Sequence, residues 1–94
     1  MSDLEMRNMS TGKIAENIQT FVFDKIPKAR KLKVGMDEQL LENGLIDSLG
    51  ILDVVTFLEE EYKILVDDEE MTPENFQSIN LMANYVKFKI NEMQ

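Results

Sequence analysis

Ser48 lies between an acid and a leucine in the stretch GLIDSLGIL, and its hydroxyl is a candidate nucleophile. A serine becomes nucleophilic when a nearby base, usually histidine or lysine, takes its proton. The chain has no histidine, and Lys63, the base on the same predicted helix, lies about four turns away. The stretch also lacks the glycine two positions before the serine that a G-x-S-x-G elbow requires. These residues do not support a catalytic serine.

A second role for the Asp47-Ser48 pair is to cap a helix, since both residue types are favoured at that position. Apolar residues recur at three- and four-residue steps after the pair and predict a helix over 48–62 with one buried face. They are Ile51, Val54, Val55, Leu58 and Tyr62. A third role, acceptance of a group from another enzyme, remains open on this evidence.

Three further helices are predicted around this one. The spacing of Ile14, Ile18, Phe21 and Val22 predicts a helix from Ser10 or Thr11 that ends before Pro27. Thr72 and Pro73 predict the cap and first residue of a short helix over 73–76. Ser78 is the predicted cap of a last helix over 79–91. We read Ile64, Leu65 and Val66 as an apolar anchor after the second helix.

The predicted fold is therefore all-α: a four-helix bundle with a short third helix and a long first loop. That loop covers 27–47, with Leu40 and Leu41 as its expected anchors in the core. Residues 1–9 have no clear period and are predicted to be a flexible tail. Residues 10–94 then form a single domain.

Charge is distributed very unevenly along the chain. Residues 37–70 hold twelve acids and one base, whereas residues 1–36 hold four acids and seven bases. Such an acidic field repels nucleic acids and anionic membranes and attracts basic protein surfaces. A basic cluster precedes it, which either balances the acidic face or binds an anionic partner: Lys25, Lys28, Arg30, Lys31 and Lys33.

Composition restricts the remaining classes. Without cysteine there is no disulfide or thiolate metal site, and the start MSDLEMRNMS lacks a secretory signal. No apolar run approaches the ~20 residues of a membrane span. The acids at 67–70 do not have the spacing of an EF-hand. We expect a cytoplasmic monomer without a metal site or a stable membrane insertion.

The whole pattern resembles the phosphopantetheine attachment region of acyl carrier proteins. The D-S-L core is Asp47-Ser48-Leu49, and its helix continues without a gap into the acidic triplet and aromatic residue of 59–62. The resemblance extends through the short helix ending at Phe76 to the S-I and Y-V pairs within 78–86. It covers about Ile14 to Ile90.

The resemblance implies that Ser48, flanked by Asp47 and Leu49, is a substrate and that the protein is not an enzyme. A phosphopantetheinyl transferase would attach 4′-phosphopantetheine covalently to Ser48, taking it from coenzyme A. Acyl groups would then be carried as thioesters in fatty acid biosynthesis or in a specialised, polyketide-like pathway. A phosphodiester at a helix start is electrostatically favourable.

The resemblance also implies partners and their contact residues. Basic enzymes would recognise the acidic second helix: the transferase, an acyl-loading ligase or acyltransferase, and ketosynthase-type enzymes. By position, the contacts beyond the attachment triplet are Leu52, Asp53, Thr56, Glu59 and Glu60. A longer acyl chain would lie between the second and third helices, although the sequence does not distinguish such a pocket from ordinary core; its residues would be Val54, Leu58, Phe76 and Ile79.

Two alternatives stay open. The form E-N-G-L-I-D-S, followed by I-L-V after the helix, is similar to D-alanyl carrier proteins, which carry an amino acid on the same arm. The chain could also be an unmodified acidic module that docks onto a basic partner. That module would not need Ser48, so modification of the serine distinguishes the two classes.

Overall fold

The computed structural model describes residues 8–92, and this part of the chain is helical without a strand. Its helices are α1 (Thr11–Lys25), α2 (Pro27–Leu32), α3 (Ser48–Tyr62), α4 (Pro73–Phe76) and α5 (Ile79–Glu92), with a 3-10 turn at Asp68–Glu70. The predicted all-α bundle is confirmed. Most of the predicted tail, residues 1–7, lies outside the described residues. Met9 is partly buried, and its carbonyl accepts a hydrogen bond from Lys87.

The predicted limits of α1 are confirmed. The Ser10 hydroxyl accepts a hydrogen bond from the Lys13 N–H at 3.1 Å and caps the helix. The helix ends at Lys25 because Ile26, the residue before a proline, is extended (φ −122°, ψ 90°). Its apolar face is buried, largely against α5.

The prediction that residues 27–47 form only a loop was wrong for its first six residues, which form α2. Pro27 occupies the first turn, where its missing N–H costs nothing, and most of the next five residues are good helix formers. Ala29 is completely buried and holds the helix on the core. Lys33 ends it in a left-handed conformation (φ 53°). Four members of the basic cluster, residues 28–33, lie on or next to this helix.

Hydrogen bonds join the rest of the long loop to the α4–α5 junction. The Leu40 N–H donates to the Gln77 carbonyl at 2.8 Å, and the Gln77 side-chain oxygen accepts from the N–H groups of Leu41 and Glu42. Leu40 is completely buried, whereas Leu41 is partly buried. The loop therefore reaches α3 along a fixed path.

The face of α3 that was predicted to be apolar is buried, except that Ile51 is only partly covered. Tyr62 lies in the core, and its hydroxyl accepts a hydrogen bond from the Asn17 amide at 3.1 Å. Burial raises the pKa of Tyr62, an effect that this hydrogen bond opposes. After α3 the chain is extended, so Ile64 and Val66 are buried while Leu65 is 79% exposed.

Glu70 links the acidic turn to α5. Its Oε1 accepts hydrogen bonds from the Asp67 N–H at 3.1 Å, from the Tyr85 hydroxyl at 3.0 Å and from the Lys89 ammonium at 3.1 Å. The bond from the Asp67 N–H is the largest effect that lowers the pKa of Glu70; the bonds from Lys89 and Tyr85 and the Lys89 charge act in the same direction, while burial opposes them. The bond to Glu70 raises the pKa of Lys89. Burial, with the Glu70 charge, raises the pKa of Tyr85 well above its ordinary value.

We expect Glu70→Gln to destabilise the fold more at pH 7 than at pH 3. Because the folded state lowers the pKa of Glu70 from about 4.5, this carboxylate stabilises the fold above pH 4.5. That contribution disappears as the pH falls through the lower, folded-state pKa. Urea unfolding of the wild type and the variant at both pH values measures it.

Glu69→Gln is the matched control, because Glu69 is an exposed neighbour in the same turn. The interpretation is contradicted if the loss of unfolding free energy in Glu70→Gln is equal at pH 7 and pH 3.

Candidate functional site

Ser48 is the first residue of α3, and its side chain is exposed. Within residues 8–92 its hydroxyl makes no hydrogen bond, so it is available to another molecule. Of the two predicted caps, the structure selects Asp47: its Oδ1 accepts a hydrogen bond from the Gly50 N–H at 2.8 Å. The cap is extended (φ −100°, ψ −173°), and its carbonyl accepts from the Ile51 N–H at 2.9 Å. Asp47 therefore caps the helix, and Ser48 exposes its hydroxyl.

The residues before the cap fix where α3 begins. Gly44 has φ 78°, a left-handed conformation that glycine adopts without strain. Ile46 is buried, and its N–H donates to the Leu40 carbonyl at 3.0 Å. At Gly50 a Cβ would lie 3.2 Å from the Ile46 side chain, so the absence of a side chain lets this loop pack against the first turn.

The chemistry available at this site is that of an acceptor. Asp47 is engaged by the Gly50 N–H, and the chain contains no histidine that could activate the serine. The start of a 15-residue helix carries a partial positive charge and free N–H groups. A phosphate attached to the exposed Ser48 therefore fits the partial positive charge of this position.

An outward stripe runs along α3 from the serine. Residues four or three apart share a face of a helix, and Leu49, Asp53, Thr56 and Glu60 are spaced in this way. All four are exposed, as is the adjacent Leu52; Leu49 is 73% and Leu52 51% exposed. The Thr56 hydroxyl donates to the Leu52 carbonyl at 2.9 Å, so it is less available to a partner than exposure alone indicates.

Glu59 differs from the other predicted contact residues. It is partly buried, and its Oε2 accepts a hydrogen bond from the Val66 N–H at 2.9 Å. This bond fixes the extended segment that follows α3. A substitution at Glu59 would therefore change the fold as well as the surface charge, and the spacing of the sequence gave no sign of this.

The four residues expected beside a long acyl chain are all core residues. Val54, Leu58, Phe76 and Ile79 are no more than 2% exposed. Val54 also borders a cavity, which lies between α1 and α3. This groove was not predicted from the sequence because its walls come from segments that are distant in the chain.

The groove has a volume of about 260 Å³ and begins next to the serine. Its walls come from the second half of α1, the end of the long loop and the first two turns of α3. They comprise Phe21, Val22, Lys25, Ile26, Leu45, Ile46, Asp47, Leu49, Gly50, Asp53 and Val54. Phe21 and Ile26 lie at the edge of the apolar face of α1, and this position indicates a groove only once the structure is known.

No group of three or more histidine, cysteine, aspartate or glutamate residues is arranged to hold a metal ion within residues 8–92. None of the helices in this range is both long and apolar enough to cross a membrane.

Known proteins resemble the chain over most of its length. A Serratia sp. protein named probable acyl carrier protein PigG is 37% identical over 57 residues, which span 58% of this chain and 66% of that protein. A Clostridium perfringens protein named acyl carrier protein is 33% identical over 72 residues, spanning 69% of this chain and 92% of that protein. No protein-family model matches the chain.

Loss of the cap should destabilise the start of α3. We expect Asp47→Ala to lower the free energy of unfolding by about 1 kcal/mol, the usual cost of removing a side-chain cap. Hydrogen exchange at the Gly50 amide should accelerate at the same time. Asp47→Asn keeps the oxygen acceptor and should retain most of the stability; an equal loss in both variants would show that the cap bond is not responsible.

Proposed function

The chain belongs to the acyl carrier protein family, and on that basis we propose that Ser48 accepts 4′-phosphopantetheine from coenzyme A. The arm would supply the thiol on which acyl groups are held as thioesters. Members of this family are carriers rather than enzymes, which agrees with a site that has an acceptor hydroxyl and no catalytic base. The protein would deliver its acyl groups to enzymes of fatty acid biosynthesis or of a polyketide-like pathway.

The observation that carries the proposal is the exposed, unengaged hydroxyl of Ser48 at the first position of α3. In the attachment step, Ser48 Oγ would form a bond to the phosphorus next to the pantetheine arm. The bond from that phosphorus to the adenosine bisphosphate of coenzyme A breaks, and the serine proton passes to a base of the transferase. Asp47 contributes by holding the helix start, not by taking the proton.

The outward stripe supports a proposal about partners. Leu49 and Leu52 offer apolar surface beside the serine, and Asp53 and Glu60 add negative charge along the same side. A basic enzyme surface with a shallow apolar pocket would match both features. We propose this stripe as the contact for the transferase, for the loading ligase or acyltransferase and for ketosynthase-type enzymes.

Modification of Ser48 is the direct test. When the protein is incubated with coenzyme A and a broad-specificity phosphopantetheinyl transferase, we expect the intact mass to increase by one phosphopantetheine. Ser48→Ala should abolish the addition, whereas Ser10→Ala, which changes another exposed serine at a helix start, should leave it unchanged. The proposal fails if the wild type remains unmodified, a result that would favour an unmodified interaction module.

Charge reversal at Glu60 tests the partner surface. We expect Glu60→Lys to lower the transferase kcat/KM about fivefold at low ionic strength, because a close charge contact in water is worth ~1 kcal/mol. The effect should shrink as salt is added. Glu60 is preferable to Glu59, whose carboxylate also holds the Val66 N–H.

Glu16→Lys is the control for Glu60→Lys, since it makes the same change in net charge at an exposed position on α1. If both variants slow the transferase equally, the overall charge of the protein is responsible and the α3 stripe is not the contact.

A further inference from the structure

We propose that the basic cluster on and beside α2 is a docking surface for an acidic patch on a partner protein. The sequence left two roles for these cations: to balance the acidic face of the molecule or to bind an anionic partner. The surface is distinct from the outward stripe of α3. Its five cations are all exposed: Lys25, Lys28, Arg30, Lys31 and Lys33.

The cations of the cluster are not neutralised within the molecule. None of them forms an ion pair with a carboxylate of residues 8–92. The acids that follow the cluster in the chain bind amides instead. The Asp37 carboxylate accepts a hydrogen bond from the Asn80 side chain at 2.7 Å. That of Glu38 accepts one from the Asn43 side chain at 2.6 Å. The cluster therefore does not balance the acidic face by direct contact.

The helix α2 presents an apolar side chain together with these charges. Ala29 is its buried residue and fixes the helix on the core. Lys28, Lys31 and Leu32 are three and four residues apart, so they share a face of the helix, and all three are exposed. Leu32 keeps 59% of its surface in water. An apolar centre with charged residues at its rim is the composition of a protein-binding contact.

Stability of the fold does not explain this surface. Like charges three or four residues apart on a helix repel each other. The partial negative charge at the ends of α1 and α2 favours nearby cations, but it gives no reason for the exposed Leu32. Lys33 adopts a left-handed conformation (φ 53°) that glycine would take without strain. The chain thus keeps a cation where another residue would suit the backbone better.

The neighbourhood of the cluster determines which anionic partner fits. Lys25 borders the groove between α1 and α3 together with Asp47 and Asp53, and all three are exposed. An anionic membrane or a nucleic acid carries one sign of charge throughout, so it would also face these carboxylates. The twelve acids and one base of residues 37–70 add to that repulsion. A protein surface can place acids opposite the cations and basic groups opposite the carboxylates.

Titration with an acidic peptide, followed by nuclear magnetic resonance of the full chain, tests the inference. The probe is a short synthetic peptide of glutamates around a central phenylalanine. We expect the amide resonances of Lys28, Lys31 and Leu32 to shift at low ionic strength, and binding to weaken as salt is added. The same peptide with glutamine in place of glutamate should not bind. Unchanged α2 resonances, or equal shifts with the glutamine peptide, would overturn the inference.

Charge reversal on α2 measures the contribution of the cluster. We expect Lys31→Glu to raise the dissociation constant of the acidic peptide about fivefold at low ionic strength, the value of one close charge contact in water. Lys13→Glu is the matched control, because it makes the same charge change at an exposed lysine of α1 outside the cluster. An equal loss in both variants would contradict the proposal. Thermal unfolding checks that both variants fold, and the wild-type shifts decide the matter if either does not.

The apolar part of the contact has its own pair of variants. Leu32→Ser should weaken binding of the acidic peptide at low and high salt alike, because an apolar contact is not screened. Leu65→Ser changes a leucine after α3 that is 79% exposed, and it should leave binding unchanged. If the two variants bind the peptide equally well, Leu32 has no part in docking and the proposed protein contact is wrong.

Two further probes test the class of partner. Vesicles of phosphatidylglycerol and phosphatidylcholine, and a short DNA duplex, are compared with the peptide at an equal concentration of negative charge. We expect both to shift the α2 resonances less than the peptide does, and stronger binding of either would overturn the inference. None of these measurements needs an arm on Ser48, so this inference and the proposed function fail independently of each other.

Discussion

The hydrogen bond from the Gly50 N–H to the Asp47 carboxylate determines where α3 begins, and most of the functional surface depends on that start. A helix turns by a fixed angle per residue, so its first residue sets the direction of all that follow. With Asp47 as cap, Ser48 becomes the first helical residue and stays in water. The same register turns Val54 and Leu58 inward and Asp53 and Glu60 outward.

The loop that carries this cap is itself fixed by a residue distant in the sequence. Gln77, just after α4, uses its carbonyl and its side-chain oxygen to fix Leu40, Leu41 and Glu42. The Leu40 carbonyl in turn accepts a hydrogen bond from the N–H of Ile46, the residue before the cap. Buried backbone groups need partners, and here those partners connect the attachment loop to the α4–α5 junction. Tyr85 and Lys89 of α5 also hold Glu70, so α5 and the junction before it each fix one of the two loops beside α3.

Local signals were sufficient to predict the elements that are independent of distant contacts. The period of apolar residues gave α1, α3 and α5, and Ser10 and Ser78 cap α1 and α5 through their hydroxyls as expected. Thr72 stands at the predicted cap of α4 but makes no side-chain cap bond. The helix α2 was missed because its six residues expose a basic surface and bury only Ala29, which is too little for a visible period.

Features that need two distant segments could not be predicted from either segment alone. The groove combines α1 with the start of α3, and Phe21 also stacks on Phe57 at 4.2 Å between ring centres. The hydrogen bond from the Val66 N–H to the Glu59 carboxylate could not be predicted either. Three consecutive glutamates give no sign of which side chain bonds to the backbone. The acids at 59–61 are therefore not equivalent: Glu59 contributes to the fold, while Glu60 and Glu61 remain exposed. A partner that reads charge along α3 therefore meets fewer free carboxylates than the sequence contains.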